Sequence, residues 1–117
     1  MTLDWVQTAL TKCLGFTPFP ATLNVHPRGK NDAQTWAVVR EEFPAVALPV
    51  EDGFCSARLY RIQIHRPVNF GGKMNAAILV PNIADYPKDK IEIVAPVQLK
   101  KTWGVRDGDS LTLEFVT

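Results

Sequence analysis

Thr22 and Asn24 are the two residues whose types and spacing best suit chemistry. They follow a stiff segment, Gly15-Phe16-Thr17-Pro18-Phe19-Pro20-Ala21, in which Pro18 and Pro20 fix φ and remove two backbone donors. From Thr22 the side chains alternate with the period of a strand. Leu23 and Val25 point one way, Thr22 and Asn24 the other. A hydroxyl and an amide carbonyl two residues apart on a strand lie side by side, and together can offer two hard oxygen ligands to a Mg²⁺ that also holds phosphate. The same residues also cap turns or face solvent, which is their commoner use, and spacing alone favours it.

Other familiar chemistries leave no trace. There is no GxxxxGK[ST] phosphate loop and no GxGxxG opening a helix. Gly71-Gly72 reads as a hairpin tip. His26 and His65 are far apart and lack a zinc pattern, so His65 reads as a half-exposed structural residue at a strand end. Cys13 and Cys55 fall among apolar neighbours and read as two buried free thiols rather than a disulfide. Nothing signals a Ser–His–Asp arrangement.

The elements that must position Thr22 and Asn24 come next. Leu3, Val6, Leu10 and Leu14 recur at helical spacing, which predicts a helix over 2–14 with Thr2 as cap and Gly15 as its left-handed stop. The polar stretch from His26 to Gln34, with Pro27 and Gly29, reads as loop, and Trp36 to Val39 as a short strand. Arg40 to Pro49 is ambiguous. Glu51-Asp52-Gly53 signals a hairpin into a long strand, Phe54 to Arg66, with Tyr60, Ile62 and Ile64 on one face. After the turn Asn69-Phe70-Gly71-Gly72-Lys73 the chain returns as a strand from Met74 to Val80. A polar loop, Asn82 to Lys90, leads to a β-branched strand, Ile91 to Ala95. Val97 to Trp103 suits two helical turns ended by Gly104, and Asp107-Gly108-Asp109 turns into a last strand with Leu111, Leu113 and Phe115 inward. One N-terminal helix, a short second helix and about six strands predict a mainly β protein, a small closed barrel.

The chain of 117 residues has room for one domain, 1–117. A net charge of +1 steers it neither to nucleic acid nor to a membrane surface. No leader and no membrane-spanning run is visible, which predicts a soluble, cytoplasmic protein.

Three pieces of the sequence carry a resemblance: GFTPFPATLNV, then NAAILVP, then KIEIVAPVQLKKTWGVRDGD before a closing strand. Together they resemble the archaeal CTP-dependent riboflavin kinases. In that family the corresponding pieces read GF-x-P-x-P-G-TLNV, G-A-x-V-x-P, IEIIAP and a helix ending in L-x-DGD. TLN and IEIVAP in this order are fairly specific, and the DGD turn alone is weak. The resemblance implies a six-stranded cradle-loop barrel that moves a nucleotide γ-phosphate to riboflavin, giving FMN. It implies Thr22 and Asn24 as ligands of Mg²⁺, and Glu92 as the flavin contact. A carboxylate there can accept the proton of the attacking hydroxyl. It implies that Val97, Gln98, Leu99 and Lys100 cradle the nucleotide. Without the resemblance, Glu92 reads as a strand residue paired with Lys90, and Lys100 with Lys101 as a solvated helix face.

The departures are specific. Family members open with a strand and a G-x-G-E-G segment that touches the nucleotide, whereas this chain starts at the helix. A barrel edge opened in this way calls for cover, for instance by a second copy. Ala21 replaces a glycine, Ala84 a flavin-contacting threonine, and Tyr86-Pro87 a His-Ser-like pair. These departures leave a second expectation beside the kinase: a barrel of the same fold that binds a flavin, a nucleotide or a protein partner without turnover. A DNA-binding relative of the swapped-hairpin barrels is disfavoured by the near-neutral charge.

Overall fold

In the computed structural model of the chain, residues 4–48, 57–66 and 71–116 are described, with side chains from Gln7 onward. The turn expected at Glu51-Asp52-Gly53, Cys55, the cap at Thr2 and the stripe positions Leu3 and Val6 lie outside that description. The chain runs α1 (Asp4–Leu14), β1 (Leu23–Val25), α2 (Gly29–Glu42), β2 (Val46–Leu48), β3 (Ala57–His65), β4 (Lys73–Pro81), β5 (Ile91–Val94), α3 (Leu99–Trp103) and β6 (Leu113–Phe115). As expected, the protein is mainly β. Among the described residues six strands make one antiparallel sheet in the order β1-β5-β4-β3-β2, with β6 also on β3.

β3 and β4 form the long hairpin, pairing from Ala57 opposite Pro81 to His65 opposite Lys73. The predicted alternation holds: Tyr60, Ile62 and Ile64 are buried, and Arg61 is exposed. β3 also divides its other edge. Its first residues pair with β2 and its last with β6. His65 lies at the strand end, 40 % exposed, against the Glu114 carboxylate on β6.

The main core gathers Ile62, Ile64, Ile78, Ile91 and Ile93 from the sheet with Leu99 of α3. A smaller cluster of Leu10, Leu48, Ala57 and Leu59 seats α1 on the β2 end of β3. The Gln7 amide donates to the Pro18 carbonyl, and Gly15 ends α1 with φ +78, its N–H donating to the Thr11 carbonyl at 2.9 Å. The stiff connection into β1 is thus tied to the helix. Cys13 is a free, partly buried thiol beside the smaller cluster.

Two expectations are overturned by α2. Residues 26–34, read as loop, contain its first turns, and Trp36 to Val39, read as a strand, lies within it. Residues 29 to 35 are all exposed, so no apolar period marks them. Packing decides the matter. Trp36 and Val39, three residues apart, are buried on one face, and Phe43 follows them into the main core. The Trp36 ring meets Tyr60 edge-on at 5.5 Å and stacks near Phe115 at 6.0 Å, while the Tyr60 hydroxyl donates to the Arg40 carbonyl at 3.0 Å. The ambiguous stretch from Arg40 to Pro49 supplies the end of α2 and the short strand β2.

Candidate functional site

β1 and β5 build the site. In their antiparallel register Asn24 lies directly opposite Glu92, and Leu23 opposite Ile93. Opposed residues of an antiparallel pair share a face. Ile91 and Ile93 are buried, so Glu92 belongs to the other face, with Asn24 exposed beside it. Thr22, just before β1, joins them: its hydroxyl donates to Glu92 Oε1 at 3.2 Å. The three residues singled out in the sequence are therefore brought together on one polar face.

Tyr86, noted in the sequence only as a departure, belongs to the same group. Its hydroxyl donates to Glu92 Oε2 at 2.6 Å from the 82–90 loop. Burial first, and then the hydrogen bond and charge of Glu92, push the phenol well above its ordinary range, so it stays a neutral donor. The pairing of Glu92 with Lys90 is not found. The Lys90 ammonium lies 5.6 Å from the centre of the Tyr86 ring instead.

The segment 97–100 curves around a cleft of about 340 Å³ that Phe19, Thr22 and Asn24 line from the other side. Val97 is partly buried and Gln98 exposed. Leu99 is 3 % exposed and packs in the core, which leaves chiefly its backbone for a ligand. Lys100 Nζ sits 3.3 Å from Asp107 Oδ1, on the turn expected at Asp107-Gly108-Asp109. That turn is closed by the Asp109 carboxylate, which accepts from the Arg106 N–H at 2.9 Å. A larger cleft of about 750 Å³ opens between β1, α2 and the 105–113 segment, with Val25, Ile91, Trp36 and Phe115 on its apolar side. Asn24, Lys100 and Asp107 line both clefts.

The donor set fits a hard cation. The single proton of the Thr22 hydroxyl is committed to Glu92, so the oxygen keeps lone pairs to offer. No hydrogen bond ties down the Asn24 side chain among the described residues. No cluster of three or more His, Cys, Asp or Glu gathers among them either. A cation here would draw on neutral protein oxygens and on the oxygens of a substrate, the way Mg²⁺ is commonly held. No helix of the described residues is long and apolar enough to cross a membrane.

Comparison with known proteins places the chain in a family. The family model CTP-dep_RFKase, described as "Domain of unknown function DUF120", matches residues 1–115. A riboflavin kinase of Pyrobaculum arsenaticum is 35% identical over 99% of this chain and 53% of its own length. One of Methanocella arvoryzae is 34% identical over 97% of this chain and 50% of its own. One of Saccharolobus solfataricus is 27% identical over 97% of this chain and 63% of its own. The chain thus spans about half the length of the first two relatives. With the TLN strand, the IEIVAP strand and the turn after α3 assembled around one cleft, and with the match running over nearly all its residues, the chain belongs to the CTP-dep_RFKase family.

Proposed function

We propose that residues 1–117 form a single riboflavin kinase domain that moves the γ-phosphate of CTP to the primary hydroxyl of riboflavin, giving FMN. The observation that carries this reading is the meeting of two clefts at Asn24 and Lys100, with Thr22 lining the smaller cleft and Glu92, which lines neither, joined to it through the Thr22 hydroxyl. A phosphotransferase needs a donor site and an acceptor site that touch where charge can be neutralised. Family membership and the names of the relatives point the same way.

In this reading the nucleotide lies in the smaller cleft along Val97, Gln98, the backbone of Leu99 and Lys100. The flat flavin ring lies in the larger cleft, whose apolar side and size suit such a ligand. Its hydroxyl chain then runs toward Asn24 and Glu92. Thr22 and Asn24 would hold Mg²⁺, which would supply positive charge to the phosphates. The alcohol oxygen forms a bond to the γ-phosphorus, the bond to the β–γ bridging oxygen breaks, and CDP leaves. The alcohol proton passes to Glu92, whose carboxylate accepts two hydroxyls already and has lone pairs to spare. Lys100 exchanges Asp107 for phosphate. Positioning and charge do most of the work. The same reading places the protein in the cytoplasm, with nucleoside triphosphates, and allows a second copy at the outer edge of β1, which sedimentation would detect.

The test is an assay for FMN with riboflavin, CTP and Mg²⁺, run beside calorimetric titrations of each ligand. Thr22→Ala and Glu92→Gln should lose FMN formation while keeping the fold. Flavin binding with no FMN under any donor would overturn the kinase and leave the non-catalytic barrel.

A further inference from the structure

Glu92 is anchored at both ends of its carboxylate. Tyr86 donates to Oε2 at 2.6 Å, and Thr22 donates to Oε1 at the longer distance of 3.2 Å. The shorter bond is the stronger, so Tyr86 rather than Thr22 sets where the carboxylate sits. Thr22 is the dependent partner. Its hydroxyl can rotate freely, and the Glu92 acceptor determines which way its one proton points and therefore where its lone pairs face.

Tyr86 is itself held in place. Its N–H donates to the Ile83 carbonyl at 3.3 Å, and Pro87 restricts its backbone. The Lys90 ammonium covers its ring, and the His26 ring lies 3.2 Å from the Asp89 carbonyl, tying the loop to the end of β1. The phenol is thus presented by a braced loop, an arrangement suited to orienting a neighbour.

We propose that Tyr86 is a positioning residue for the cation site: its hydroxyl fixes Glu92, and Glu92 fixes the Thr22 hydroxyl with its lone pairs toward a divalent ion. The inference rests on the reading of Thr22 and Asn24 as ligands given above. Partners of this kind, one bond behind a ligand, commonly govern metal affinity by about 10–100-fold. Phenylalanine at position 86 keeps the ring and the Lys90 contact and removes only the hydrogen bond.

The experiment is a titration of the folded protein with Mn²⁺ in the presence of CTP and without riboflavin, reading free Mn²⁺ by electron paramagnetic resonance. Tyr86→Phe should weaken Mn²⁺ binding about tenfold, at the lower end of that range, with an unchanged circular dichroism spectrum. In a Thr22→Val background, Tyr86→Phe should cost nothing further, because the oxygen it orients is gone. Unchanged Mn²⁺ affinity in Tyr86→Phe overturns the inference and leaves the kinase reading standing. So does an equal loss in both backgrounds. Wild-type Mn²⁺ binding that Thr22→Val does not weaken overturns the ligand reading itself, and the inference with it.

Discussion

Lys100 and Asp107 face each other at 3.3 Å on the boundary shared by the two clefts, so the lysine that lines both clefts is already partnered. Both side chains are more than half exposed, and such pairs contribute about 0–1 kcal/mol to stability. Asp107→Asn should therefore leave the urea midpoint nearly unchanged. It should tighten CTP binding in calorimetry by freeing Lys100, with a gain that shrinks as salt is raised. Lys100→Ala should weaken CTP binding and leave riboflavin binding largely intact.

Removing the proposed ligands should separate binding from folding. Thr22→Val and Asn24→Ala act on a polar face outside the core, so circular dichroism and thermal midpoint should hold. Mg²⁺-dependent FMN formation should fall by at least about tenfold in each, with the flavin titration little changed. Wild-type turnover in either variant would remove that residue from the site.

The triad of His65, Glu114 and Lys73 predicts an acid-side effect on stability. The Lys73 hydrogen bond first, and then the His65 one, hold the Glu114 carboxyl below its ordinary value of 4.5. A depressed folded-state value means that the unfolded chain binds the proton more readily. The contribution of Glu114 is present above the ordinary value and fades as pH falls through the depressed one. Urea melts between pH 3 and pH 6, ranges set by the unperturbed carboxylate value, should show a shallower loss for Glu114→Gln than for the wild type.

Tyr86 makes the opposite, alkaline prediction. Its folded-state value lies above 10.0, so the folded chain holds that proton longer than the unfolded chain. The contribution is complete below 10.0 and is lost as pH rises beyond it. Absorbance titration of wild type against Tyr86→Phe should show the missing phenolate appearing only above that pH.

Docking of α2 can be tested at Trp36, which is 3 % exposed and also borders the larger cleft. Trp36→Ala should destabilise by about 3–5 kcal/mol. Riboflavin in the larger cleft should quench Trp36 fluorescence, and tryptophan emission unchanged at saturating flavin would place the ring elsewhere.

Thr22, Asn24 and Glu92 were legible as candidates through the family resemblance, with Asn24 and Glu92 between apolar neighbours in β1 and β5 and Thr22 just before β1. What spacing did not carry was their proximity. Seventy residues separate Thr22 from Glu92, and only the β1–β5 register brings them together. Tyr86 was missed as a participant because a hydrogen bond from a loop to a strand leaves no period in the sequence. α2 was missed because its first turns face water and its apolar face amounts to Trp36, Val39 and the following Phe43. In such helices tertiary packing rather than local pattern determines the conformation.

The long separation between β1 and β5 also has a meaning in time. The β3–β4 hairpin joins neighbouring segments and can form early, whereas closing a loop of seventy residues carries a larger entropy cost. The polar face is therefore expected to be completed by one of the last contacts made. A ligand that needs Thr22 and Glu92 together would bind only the finished chain, and should slow hydrogen exchange throughout β1 and β5 by mass action. The site would then report on the completion of the fold as well as act through it.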